Sequence, residues 1–172
     1  MVAMVSDAPY GFRDSVLSPR TGVVAGVVGA LAMLGLLNVV EPMSAVEPSA
    51  ILRHIGVRVL AVCPESCGGL SPTLVGFSAH IILGTILGLL YAASQQRVPA
   101  RGLVAVGIFY GFFLWVVSGL IVGPLLGESL RRAIRSWPWL LASLLYGSSL
   151  AAVALWVESH RAPEPSDVVQ LD

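Results

Sequence analysis

Charge is scarce in this chain, and the scarcity decides its class. Asp, Glu, Lys and Arg make up 12% of the 172 residues, against roughly 25% in a soluble globular domain. The deficit runs along the whole sequence, which excludes a fold that needs a charged shell in water. Lysine is absent, all 10 basic residues being arginine, and we read this as codon usage rather than chemistry. Formal net charge is zero, so no basic field exists to recruit nucleic acid. No acid–base pair, activated nucleophile or phosphate-binding loop is recognisable, and the reading is of a protein that is not an enzyme.

What the chain has instead is apolar length. The segment LVGFSAHIILGTILGLLYAAS, residues 74–94, carries no formal charge. Such a run of about twenty residues spans a ~30 Å hydrocarbon layer as a helix and is too long for a buried strand. Residues 21–40, 103–122 and 137–157 read the same way. The expectation is an all-α polytopic membrane protein, with four transmembrane helices arranged as two pseudo-repeated hairpins with short interfacial helices. A polar N-terminal segment, 1–20, lacks the positive start of a secretory signal, and a polar tail, 158–172, follows the last span. The first apolar run ends in Met43-Ser44-Ala45, faintly like a cleavage site, but it exceeds a normal signal core and is read as a retained span.

The connections are also patterned. In residues 49–62, Ile51, Leu52, Ile55, Val59 and Val62 share one arc of a helical wheel, with Arg53 and His54 opposite and Arg58 at its edge. That predicts an amphipathic helix lying in the interface, because two arginines and a histidine are expensive in hydrocarbon. Cys63 and Cys67 follow, four apart. A local disulfide, free thiols and a metal site all stay open, the last weakest, since only His54 and Glu65 accompany the thiols. The loop 95–102 is short and polar with Pro99, so spans two and three are expected to form an antiparallel hairpin. Gly123-Pro124 is expected to end the helix of span three. In the segment after it, Leu130, Ala133, Ile134 and Trp137 oppose Arg131, Arg132 and Arg135 as a second interfacial turn. Trp137, Trp139 and Trp156 bracket span four at interface depth.

Small residues recur four apart: Gly22 and Gly26, Gly84 and Gly88, Gly107 and Gly111, with Gly147 in span four. Four-residue spacing keeps them on one helix face, where missing side chains let a neighbouring backbone approach. Phe109, Tyr110, Phe112, Phe113 and Trp115 lie on the other side of span three. The polar groups at membrane depth are Asn38, Glu41, His80 and Ser143. Asn38 and Glu41 stand at the end of span one, where a carboxylate is tolerated. His80 has two readings. With Gly76 one turn before it, its imidazole could be an axial ligand to haem or a chlorophyll-type pigment lying against the helix. Alternatively it is a neutral group bonded to a serine or carbonyl on a neighbouring helix, and no other span holds a second histidine.

Set side by side, Ala79 to Gly88 lies over Ala142 to Ala151, and Gly22/Gly26 over Gly107/Gly111. Each half is span, interfacial segment, span, so the halves are parallel, and His80 and Ser143 occupy equivalent positions facing the bundle centre. The AHxxxGxxxGxxY segment from Ala79 to Tyr91, its degenerate echo in span four and the four-span length resemble small bacterial integral membrane proteins of unknown function with a duplicated hairpin. The resemblance implies a fold and a bacterial source, and brings no activity with it.

Arginines split evenly between the two sides, Arg13, Arg20, Arg97, Arg101 and Arg161 against Arg53, Arg58, Arg131, Arg132 and Arg135, so the rule that sets topology is tied. Cytoplasmic termini in a bacterial inner membrane are preferred because Cys63 and Cys67 then face the oxidising side. Three functions fit: a non-catalytic subunit packed with others in the bilayer, such as one of a respiratory or photosynthetic electron-transfer complex; a small oligomeric transporter or channel using Asn38, Glu41 and His80; and a pigment or haem carrier through His80.

Overall fold

The first span starts where its local chemistry directs. Ser18 Oγ accepts the Thr21 amide at 3.2 Å and pairs with the Thr21 hydroxyl at 2.9 Å, while Pro19 takes the first helical position, where a missing N–H loses nothing. Helix α1 then runs Pro19–Val40. The computed structural model describes residues 17–40, 47–62, 71–95 and 102–160, and all regular structure among them is helical. In order follow α2 (Pro48–Val62), α3 (Pro72–Ser94), α4 (Leu103–Val117), a π-helical turn (Ser118–Val122), α5 (Gly123–Leu126), α6 (Glu128–Ile134) and α7 (Trp137–Ser159). Four of these stretches are long and apolar enough to cross a membrane: α1, α3, Leu103–Val122 and Trp137–Val157. The protein is therefore an all-α, four-span membrane protein.

The four spans are not equivalent. Along their apolar windows α1 and α7 are 44% and 39% buried, α3 and the α4 span only 17% and 11%. Close packing joins α3 to α1, α1 to α7 and α7 to α4, so the order across the bundle is α3, α1, α7, α4. The expected hairpin of spans two and three is thus corrected. Those helices run antiparallel but scarcely approach each other by backbone, because their glycine faces are committed to α1 and α7. Tyrosines bridge the gap. The Tyr91 and Tyr110 rings meet edge-on at 5.3 Å, Tyr110 Oη donates to the Leu87 carbonyl at 2.9 Å, and Tyr91 Oη donates to that of Leu103 at 3.2 Å.

The halves repeat one helix contact, in a register the sequence alignment did not give. Gly84 sits against Gly26 and Ala30 of α1, and Gly147 sits against Gly107 and Gly111 of α4. Gly26 and Ala30, rather than Gly22 and Gly26, therefore correspond to Gly107 and Gly111. Gly22 lies a turn further on, beside Gly88 and Ala92.

The connecting helices differ from expectation in two ways. Helix α2 runs beside the first two turns of α3, residue 52 opposite Gly76 and Gly56 opposite Pro72, in direct backbone contact. Its buried face is Pro48, Ile51 and Gly56, while Val59 and Val62 are exposed, so the apolar arc is not the packed face at its C-terminal end. Gly123-Pro124 bounds span three but does not end its helix. Proline lacks an N–H and its ring crowds the carbonyl four residues back. The turn before it is widened, with the Gly123 amide bonding five residues back to Ser118, and the helix continues to Leu126. It stops at Gly127, whose φ of 107° suits a residue without a β-carbon. Leu130, Ala133 and Ile134 of α6 then share one buried cluster with Ile51 of α2, which brings both connecting segments to the same end of the bundle.

Candidate functional site

Because α3 and α4 stand apart, the bundle keeps a cavity of about 100 Å³ between them. Its floor is Ala30 and Met33 of α1 with Ser143 and Tyr146 of α7; its walls are His80, Leu83, Gly84 and Leu87 of α3 and, opposite, Leu114 and Ser118. Trp139 closes one end and also lines, with His80, a smaller void of about 10 Å³ against α2.

Each polar group reaches this place for a local reason. His80 stands one turn before Gly84, and the Gly84–Ala30 contact draws α1 close enough for His80 Nε2 to lie 3.3 Å from the Ala30 carbonyl oxygen. A carbonyl only accepts, so Nε2 carries the proton, and in a neutral imidazole Nδ1 is left an acceptor. Tyr146 packs against Gly29, where a β-carbon would sit 2.9 Å from its ring, and its hydroxyl donates to the Gly84 carbonyl at 2.6 Å. Ser118 is the first residue of the π turn; turns of this kind recur at functional sites because they re-aim side chains within a helix. Among the described residues, no group of three or more His, Cys, Asp or Glu is placed to hold a metal.

The structure brings His80 and Ser143 into the lining of one cavity. It does not bring Asn38 there: that side chain is exposed and its Nδ2 donates to the Leu34 carbonyl of its own helix at 2.8 Å. Glu41, Cys63 and Cys67 lie outside the described residues. The room that a macrocycle needs beside Gly76 is filled by α2, whose Leu52 carbonyl lies against that glycine, so the argument for an axial His80 loses its geometric basis. The aromatic belt of α4 divides: Phe109, Phe112 and Phe113 face outward, whereas Tyr110 bonds α3 and Trp115 Nε1 donates to the Ile134 carbonyl at 3.0 Å. Trp139 turns inward rather than bracketing the span with Trp137 and Trp156, which are exposed.

Sequence reasoning missed Tyr146 and Ser118. The signal for the first was a tyrosine in mid-span, whose hydroxyl must find a partner in hydrocarbon; for the second it was a glycine-proline pair inside an otherwise unbroken apolar run.

Comparison with known proteins adds one result. The sequence pattern of a family of unknown function, DUF6789, matches residues 16–164, taking in all four spans and both connecting segments. The chain belongs to that family. No curated protein and no solved structure matches it. Membership of DUF6789 thus fits a four-helix membrane protein and carries no activity with it.

Proposed function

We propose that this DUF6789 protein is a non-catalytic membrane component that works by packing its helices against those of other subunits in a larger assembly. The observation that carries the reading is the outer face of α4, where Phe109, Phe112 and Phe113 are 68%, 45% and 51% exposed. A lipid-facing surface has no need of three phenylalanines on one face at mid-span, whereas rings between helices add contact area. The opposite face of the same helix is already spent on α7 through Gly107 and Gly111.

The reading extends to a bacterial inner-membrane complex of the respiratory or photosynthetic electron-transfer type, with both termini cytoplasmic. Extraction from the native membrane in mild detergent tests it. Stoichiometric co-purification with larger redox subunits, lost in a Phe109→Ala/Phe112→Ala/Phe113→Ala variant that still folds, is the expected result; a monomer accompanied only by lipid overturns it. Labelling of Cys63 and Cys67 in intact cells by an impermeant thiol reagent after mild reduction checks the topology, and labelling only after lysis reverses it.

A small oligomeric transporter is the second reading, favoured by the π turn beside a mid-bundle cavity. Asn38 pointing away from that cavity weakens it. Solute flux in liposomes containing the purified protein alone would establish it.

A further inference from the structure

We infer that the cavity between α3 and α4 binds the hydroxyl head of a neutral lipophilic alcohol taken up sideways from the bilayer. Several serine and threonine hydroxyls on the spans close on their own helix. Ser78 donates to the Leu74 carbonyl at 3.0 Å, Thr85 to Ile81, Ser148 to Leu144 and Ser149 to Leu145, each at 2.8 Å. Ser118 and Ser143 do not. Both line the cavity, neither hydroxyl has a partner among the described residues, and Ser143 is only 4% exposed. A hydroxyl left unpaired is unfavourable where no bulk water reaches.

The chemistry of the unpaired groups selects the ligand. His80 spends Nε2 on the Ala30 carbonyl, which leaves Nδ1 an acceptor without a described partner, while the serines both donate and accept. None of the lining residues carries a formal charge, so a carboxylate or ammonium would enter without a counter-ion. An alkane answers none of the polar groups, and a ketone or ester answers the serines but not Nδ1. An O–H group answers both, donating to the imidazole and accepting from serine. The volume of about 100 Å³ is smaller than the roughly 150 Å³ of a cavity known to take benzene, so it holds a head and a few carbons. The chain leaves past Leu83, which lines the cavity and is 54% exposed, through the gap where α3 and α4 stand apart.

The experiment uses the full chain in phosphatidylcholine nanodiscs and a dodecanol analogue bearing a diazirine next to the hydroxyl. Photolabelling is expected on the cavity-lining peptides of α3 and α7. Dodecanol should compete at concentrations where dodecane and dodecanoate do not. Ser143→Ala should weaken competition by dodecanol about tenfold, the loss of one buried hydrogen bond, whereas Ser148→Ala, whose hydroxyl closes on its own helix, should leave it unchanged. Labelling spread evenly over the outer faces, equal competition by dodecane, or equal behaviour of the two serine variants would overturn the assignment. Melting of each variant is followed in parallel; should Ser143→Ala not fold, the comparison of dodecanol with dodecane on the parent protein still decides.

Discussion

Gly26 and Gly84 meet backbone to backbone: a β-carbon built on Gly26 would stand 2.5 Å from the Gly84 carbonyl oxygen, and one built on Gly84 2.7 Å from the Ala30 side chain. Neither neighbour can yield, since one is main chain and the other a methyl group held against it. Without a hydrophobic drive between helices in lipid, such close approach is what their association rests on. Gly26→Leu and Gly84→Leu should therefore each destabilise the detergent-solubilised bundle by about 1–3 kcal/mol or more, as overpacking does. Leu90→Ala, on the exposed face of α3, should stay within about 0.5 kcal/mol. Thermal melting of the three variants checks this, and equal tolerance would count against it.

Tyr146 separates ring packing from hydrogen bonding. Tyr146→Phe removes only the bond to the Gly84 carbonyl and should cost about 0.6–1.7 kcal/mol, the range for polar contacts between membrane helices. Tyr146→Ala also empties the space against Gly29 and should cost about 3–5 kcal/mol. If the two variants unfold alike in denaturant titration, the hydroxyl and not the ring holds α7 to α1 and α3.

The docking of α2 should be separable from the bundle. A leucine at Gly56 would run into the Pro72 carbonyl, so Gly56→Leu is expected to lift α2 away and speed amide exchange in residues 48–62. Exchange in α1 and α7, whose mutual contact does not involve α2, should hardly change. Unaltered protection of α2 would show that it is held by something other than this backbone contact.

Trp115 ties the end of α4 to α6 through its bond to the Ile134 carbonyl. Trp115→Phe should cost about 0.5–1.5 kcal/mol, the net worth of one hydrogen bond, and loosen residues 128–134 first. Faster exchange confined to that segment is the expected reading, and a uniform acceleration across the four spans would contradict it.

The number and position of the spans were legible in the chain because hydropathy is a local property: a charge-free run of about twenty residues has one stable home, whatever surrounds it. Small-residue faces were legible for the same reason, since spacing of four keeps residues on one side of a helix. The π turn was not, because Gly119, Gly123 and Pro124 read equally well as a helix end. Nor was the division of the α4 rings into three outward phenylalanines and two inward hydrogen-bond donors.

Partnership and register belonged to the folded molecule alone. A glycine pattern of period four matches itself when slid by one turn, so the residues could not say whether Gly22 or Gly26 answers Gly107; only the seating of Gly84 between Gly26 and Ala30, and of Gly147 between Gly107 and Gly111, settles it. Any notched helix can accept any other. That α3 and α4 spend their notches on α1 and α7, and so leave a gap with two unpaired serine hydroxyls inside, follows from contacts between residues tens of positions apart, which no local pattern encodes.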